Sequence, residues 1–214
     1  VEQVYNEQSN KGLNVFVGEF FNSFREMANN PESLATRTQV KETADFLSKD
    51  FKRINKQLTE IQRDVDQQVV THIEDVNQLS KEIAGLNEKI QIVENGGAVA
   101  NDERDRRDVL VKKLGEKINI RWSEGDDTSI TITAGNSALL VAGSDAKTLE
   151  ARSTPASGNK GESNYDIFYK NSQQSEPMLV TSQMTGGAIG GLLEVRDKTI
   201  GGLLGQMDHM AYSI

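Results

Sequence analysis

The sequence predicts an α+β protein: an elongated helical bundle with one very long helix, and a small antiparallel β domain inserted between N-terminal and C-terminal helices. Three observations carry this. Prolines stand only at 31, 155 and 177, so residues 32–154 are free of the strongest helix breaker. Composition changes near residue 118: residues 1–117 hold 38 charged residues and 6 glycines, residues 118–214 hold 18 and 12. The hydrophobic period falls to two after Ile118 and turns helical again after Gly186-Gly187.

Leu13, Phe16, Val17, Phe20, Phe21, Phe24 and Met27 recur at helical spacing and predict a first helix with one buried face. Asn29-Asn30-Pro31 stops it. Glu32-Ser33 opens a second helix that continues to about Glu94 and ends at Asn95-Gly96-Gly97. About 60 residues at 1.5 Å each span roughly 90 Å. Its apolar residues alternate in steps of four and three: Leu47, Phe51, Ile54, Leu58, Ile61 and Val65, then Leu79, Ile83, Leu86, Ile90 and Val93. The row 51, 58, 65, 72, 79, 86, 93 persists. Its partners precede it early (47, 54, 61) and follow it late (Val69, Val76, Ile83, Ile90), which re-centres the seam of a nearly straight helix as the 3.6-residue turn drifts.

A third helix is expected from about Asp102 to Lys117, capped by Asn101 or Asp102. Asp102/Arg106, Glu103/Arg107 and Arg104/Asp108 are spaced for i,i+4 pairs, and Val109, Leu110, Leu114 and Ile118 form its apolar face. Ile118, Ile120 and Trp122, a Gly125-Asp126-Asp127 turn, then Ile130, Ile132 and Ala134 predict a hairpin. Further strands are expected at 138–142, 147–152, 165–169 and 178–181, with Ser153–Ser163 as a flexible loop. Helical period resumes at Ile189 and continues through Leu192, Leu193, Ile200, Leu203, Leu204, Met207 and Met210 to Ile214. The domain division is therefore 1–117, N-terminal part of the bundle; 118–185, β domain; 186–214, C-terminal helix returning to the bundle.

A net charge of −8 without a basic patch argues against nucleic acid as a partner. No apolar run is long enough to insert in a membrane, and Val1-Glu2-Gln3 lacks the pattern of a secretory signal. With no cysteine there is no disulfide, thiolate nucleophile or cysteine zinc site. His72 lies in the persistent apolar row and reads as a polar layer in a seam, because no second histidine stands at i+4; His209 reads as solvent-facing. Asp126-Asp127 reads as a turn that satisfies local amides, and Lys113 stands where a calcium loop from Asp102 would need its glutamate. Thr185-Gly186-Gly187-Ala188-Ile189-Gly190-Gly191 lacks the Lys-Ser/Thr of a phosphate loop and reads as a tight strand-to-helix turn with close backbone packing. Gly201-Gly202 and Gly205 read as permitting close approach of the last helix to a neighbour. Lys49, Lys52, Arg53 and Lys56, interleaved with Asp45, Asp50 and Glu60, form a solvated face. No catalytic, cofactor-binding or metal-binding residue is assigned, no cofactor is expected, and an enzyme is not expected.

Three segments together resemble one family. Phe20-Phe21-Asn22-Ser23-Phe24 through Ala28-Asn29-Asn30-Pro31, followed by Ala35, Arg37 and Val40, is similar to the N-terminal body of the hook-associated protein 1 family, which joins hook to filament in bacterial flagella. Asn101-Asp102, Asp105, Arg107-Asp108, Leu110 and Leu114 resemble its N-D-x-x-D-x-R-D-x-L-x-x-x-L stretch. Gly186 to Leu193 with Arg196-Asp197 resembles its G-G-x-L-G-G-L-L-x-x-R-D segment, with Ile189 in place of Leu. The resemblance implies a structural adaptor of the flagellum without enzymatic activity, exported by the type III apparatus and located outside the cell at the hook–filament junction. It implies as partners the hook protein, the adjacent junction protein, further copies in a ring formed by the full-length protein, and an export chaperone for the missing terminus. Against the family's pattern this chain reads as a core fragment, expected to be monomeric or weakly self-associating in sedimentation. The competing reading is a helical stalk presenting residues 118–185 as a binding module for carbohydrate or a host surface.

Overall fold

The computed structural model describes residues 12–155, 163–171 and 176–214. Contacts divide the chain into two compact units, one containing residues up to Arg63 together with Asp197–Ile214, the other Asp64–Arg196. Helix α2, Leu34–Asn95, contributes to both and bears out the predicted long helix.

In the first unit, α1 spans Leu13–Asn29, and the Asn30 N–H closes its last turn on the Glu26 carbonyl at 3.1 Å. Pro31 forbids continuation. The turn into α2 is held by side chains: Thr36 Oγ1 donates to the Ser33 carbonyl at 2.9 Å, and Arg37 Nη2 and Nε donate to the Pro31 carbonyl at 2.8 and 3.1 Å. Ser23, buried on α1, donates to the Phe20 carbonyl and lies 2.9 Å from Thr43 Oγ1 of α2. Leu47, Ile54 and Leu58 of α2 are buried, as are Ile200, Leu204 and Met207 at the far end of the chain.

Two expectations change here. Leu13 and Ser23 are the buried residues of α1, while Phe21 and Phe24 are 46% and 42% exposed, because the described residues lay no second apolar layer over them. A side chain at Gly202 or Gly205 would meet nothing within 4 Å, so these glycines mark no close approach; both face solvent.

In the second unit the buried line on α2 continues through Val65, Val69, Ile73, Val76, Ser80, Ile83, Asn87 and Ile90. The predicted shift of seam is real: 69, 76, 83 and 90 are buried, whereas His72, Leu79, Leu86 and Val93 are half-buried. Helix α3, Asn101–Lys117, buries Arg107, Val111 and Leu114, followed by Ile118. Val109, expected inside, is 54% exposed. The expected Asn101 or Asp102 cap is absent: Ala100 precedes the helix without a side-chain bond, while Asp102 and Glu103 complement the amino-terminal dipole.

Two antiparallel sheets follow. Strands β1 (Ile120–Glu124), β2 (Ile130–Ala134), β3 (Ala138–Ala142) and β4 (Asp145–Ala146) pair in sequence order. Trp122 faces Ile132 in the predicted hairpin. The second sheet orders β5 (Thr148–Pro155), β6 (Ser163–Lys170) and β7 (Met178–Leu179). Of the expected 153–163 loop, Ser153–Pro155 and Ser163 belong to strands, and residues 156–162 lie outside the described residues. A short 3-10 turn, Thr181–Gln183, leads to α4, Gly187–Glu194. Six residues of π-helix, Val195–Ile200, then lead into α5, Gly201–Ser213. One cluster joins Val69, Ile73 and Val76 of α2, Leu114 of α3, Ile132 and Leu140 of the first sheet, Ile167 of the second and Ile189 of α4. Among the described residues no helix is long and apolar enough to cross a membrane.

Candidate functional site

The motif residues singled out in the sequence hold the second unit together. Arg107, at the centre of the Asn101-to-Leu114 stretch, is buried. It lies on the α3 stripe 107, 111, 114, 118, and so points inward with the apolar side chains. Its Nη1 donates to Asn87 Oδ1 at 3.0 Å and to the Thr128 carbonyl at 2.7 Å; its Nη2 donates to Glu124 Oε1 at 2.9 Å. Asn87 closes the joint by accepting from the Ile130 N–H at 3.1 Å and donating to the Ile130 and Gly143 carbonyls. One guanidinium and one amide thus tie α2, α3 and the β1–β2 hairpin.

Arg104, one turn earlier, grips both oxygens of Glu94, with Nε at 2.8 Å and Nη2 at 2.9 Å, and reaches Glu124 at 3.2 Å. The forked bond from Arg104 draws the Glu94 carboxyl down to about 2, with further help from Thr128 and the Ala100 N–H. The expected helix-surface pairs are thereby corrected: Arg107 bonds Glu124 rather than Glu103, and Arg104 bonds Glu94 rather than Asp108. Long-range partners supply two-point geometry that an i,i+4 neighbour lacks.

The hairpin turn works as read. Asp127 Oδ1 accepts from the Ser129 hydroxyl at 2.8 Å and its N–H at 3.2 Å, lowering the Asp127 pKa. Gln91 of α2 bonds the other oxygen. His72 is half-buried, with Nδ1 3.1 Å from the Lys117 ammonium, which also donates to Asp75 at 2.7 Å and lowers that carboxyl. His209 is exposed. Among the described residues no three histidines or carboxylates gather as metal ligands.

The glycine-rich turn is also structural. Gly187 sits at φ +68°, and a Cβ there would stand 2.6 Å from the Ile118 nitrogen; one at Gly190 would stand 2.5 Å from the Thr185 carbonyl carbon. Asn119 Oδ1 accepts from the Thr185 and Gly186 N–H groups, and its Nδ2 donates to the Gln183 carbonyl. Arg196, in the π-helical segment, is buried and donates from Nη1 to Asp66 at 2.8 Å and to the Tyr165 carbonyl at 2.6 Å. The π turn widens the helix where this side chain enters the interior. The arginines of the two motifs, Arg107 and Arg196, are therefore buried anchors.

Sequence reasoning missed Asn87, Asn119 and the Asp66–Arg196 pair. Asn87 was detectable, since with Ser80 it interrupts the apolar α2 line at heptad spacing from Ile73. A groove of about 650 Å³ opens between α2 and α3, with Gly85, Leu86, Val109 and Leu110 as its apolar lining and Glu82, Lys89, Asp105 and Arg106 as its charged lining. The paired carboxylates and cations of this unit hold its elements together.

The chain is 32% identical over 123 residues to flagellar hook-associated protein 1 of Bacillus subtilis, covering 58% of this chain and 24% of that protein. It is 30% identical over 184 residues to the Salmonella typhimurium protein of the same name, covering 85% and 32%. Against the Escherichia coli protein identity is 26% over 194 residues, covering 90% and 35%. The chain thus spans about a quarter to a third of the length of these curated relatives. The flagellar hook junction protein FlgK from Burkholderia pseudomallei has the same fold, with a TM-score of 0.79 at 23% identity over 93% of this chain and 36% of that one. The model of the flagellar hook-associated protein FlgK helical domain matches residues 1–214, the buried motif arginines and the glycine turn included, and the chain belongs to that family.

Proposed function

We propose that this chain is a structural segment of a hook–filament junction protein of the bacterial flagellum. It joins hook to filament after export by the type III route, without enzymatic activity. The family match along the whole chain carries the reading. The tying-up of Arg107, Arg196, Glu94 and Glu124 in internal bonds supports it, because groups held this way stiffen a body instead of turning over a substrate. In this role the protein meets the hook protein, the neighbouring junction protein and further copies of itself in a ring, and it resides outside the cell. An export chaperone receives a terminal segment. The division into residues 1–117, 118–185 and 186–214, with the β segment between helical ones, is part of the proposal.

Deletion of the gene in the flagellated bacterium is the test. The expected outcome is cells with hooks, detached filaments and filament protein in the medium, restored by the intact gene; filaments that stay attached without it overturn the reading.

A further inference from the structure

The turn that ends α2 carries the chain's single Asn-Gly step, Asn95-Gly96. Asparagine is among the thermolabile residues, and a glycine after it leaves the next amide nitrogen with no side chain to shield it. Asn95 is the last residue of α2 and exposed, and its carboxamide has no hydrogen-bond partner among the described residues. Other asparagines are held. Asn77 bonds the Leu149 N–H and carbonyl, buried Asn87 bonds Arg107 and Ile130, Asn119 bonds Thr185 and Gln183, and Asn136 accepts from Arg121.

The backbone here can also release the nitrogen that would react. The Gly96 N–H donates to the Val93 carbonyl at 3.1 Å, the short-range bond of a helix end, where fraying is easiest. The Ala98 N–H reaches the same carbonyl at 3.4 Å, so Val93 keeps a donor when the Gly96 bond opens. Gly97, at φ +83°, turns the chain away from the helix and lets no further turn of α2 cover the step.

We propose that Asn95-Gly96 is a self-modifying site, which converts spontaneously to aspartate and isoaspartate and thereby loosens the joint between α2 and α3. The Gly96 amide nitrogen gives its proton to a solvent base and attacks Asn95 Cγ. The N–Cγ bond forms, the Cγ–Nδ2 bond breaks, and the amide group takes up a proton from solvent and leaves as ammonia. Water then opens the cyclic imide. Cleavage of the new N–Cγ bond gives aspartate; cleavage between the Gly96 nitrogen and the Asn95 main-chain carbonyl gives isoaspartate, with the backbone rerouted through Cβ and Cγ. The residue before the step is Glu94, which grips Arg104 at 2.8 and 2.9 Å and accepts from the Ala100 N–H. Either product puts a carboxylate next to Glu94 at the negative end of the α2 dipole, and isoaspartate also lengthens the loop that the Glu94–Arg104 bond closes.

Ageing of the whole chain in warm, mildly alkaline buffer tests this. Samples are digested with trypsin, the segment 90–104 is weighed by mass spectrometry, and isoaspartate is labelled with an isoaspartyl methyltransferase, which leaves aspartate unmarked. Asn95 is expected to convert at least about tenfold faster than Asn77 or Asn87, which reach solvent only through a larger opening of the structure. The rate should rise with pH, because the attacking amide must lose its proton. Asn95→Gln, which would have to close a larger ring, should remove the label from this segment. On ageing, the urea midpoint of Trp122 fluorescence should fall in the unaltered chain and hold in the Asn95→Gln chain. Fresh Asn95→Asp, with the added charge and a normal link, should show a smaller fall. An Asn95 that stays an amide while a synthetic peptide of residues 90–104 converts overturns the site, as does conversion no faster than at Asn77. Conversion that leaves the midpoint where it was overturns the loosening.

Discussion

In the unit formed by Asp64–Arg196, apolar side chains from helices and both sheets meet in one cluster, and buried polar groups pin the elements at chosen points: Arg107 on Asn87, Thr128 and Glu124, Arg196 on Asp66 and Tyr165. In the unit formed by residues up to Arg63 with Asp197–Ile214, burial is a narrow line of Leu47, Ile54, Leu58, Leu204 and Met207, while Phe21, Phe24, Leu34, Phe46 and Tyr212 stand exposed. The difference teaches that the same seam of α2 serves two kinds of body. One closes helices and both sheets round a single cluster pinned by paired charges, the other buries a narrow line, and both keep exposed apolar side chains, Val109 and Trp122 in the former and Phe21 and Phe46 in the latter.

The largest expected effect comes from breaking a buried pair. Arg196→Ala leaves the Asp66 carboxylate buried without its cation and should cost about 3–5 kcal/mol, read as a lower urea midpoint of Trp122 fluorescence. Lys49→Ala, at an exposed ion pair of the other unit, should change stability by less than about 1 kcal/mol. Equal effects would erase the distinction between the units. Next, Leu58→Ala should cost about 2–5 kcal/mol, whereas Phe24→Ala, at a half-exposed ring, should cost less than about 1. Trp122, the chain's single tryptophan, lies in the second unit, so it also sharpens the comparison. If Leu58→Ala moves the Trp122 transition as far as the far-UV circular dichroism transition, α2 makes the two units cooperative.

A smaller loss, about 1–3 kcal/mol before any added clash, is expected for Gly187→Ala, because alanine resists φ +68°. Acid should weaken the closed unit selectively. Glu94 is held near 2 against about 4.3 for a free glutamate, so the folded state binds its proton less readily than the unfolded state. Its stabilisation is complete above about pH 4.3 and is lost as pH falls toward about 2. Glu94→Gln should flatten the Trp122 stability profile across that window; an unchanged slope would mean that Arg104 does not hold the carboxylate. The smallest expected change is a gain: Gly202→Ala, in a helix with open space around it, should add about 0.5–1 kcal/mol to the first unit, measured by the same denaturation.

Legibility in the sequence followed the range of the interaction. The α2 seam, the Asp127 turn and the strand-to-helix turn at Gly187 were readable because each depends on residues close together in the chain. The seam even predicted its own shift from the 47, 54 row to the 69, 76, 83, 90 row, since helical drift is a geometric consequence of 3.6 residues per turn. The pairs on α3 were misread for the converse reason: Glu103 and Asp108 are near Arg107 and Arg104 in sequence, but Glu94 and Glu124 arrive from other elements with better geometry. Phe21 and Phe24 carry a helical pattern that says which face they share and nothing of what covers it.

The sequence by itself determined the three N-terminal helices, the main strands, their order and the family, because periodicity, turn chemistry and the spaced motifs are local properties of the chain; the β4 strand, the 3-10 turn and the π-helical segment were not in it. Only the tertiary structure decided which arginines are buried, which carboxylates they hold, and which apolar faces close into a core or stay open. Those outcomes are set by desolvation and by partners far away in sequence, and a charged or aromatic side chain has the same local pattern whether it is covered or not.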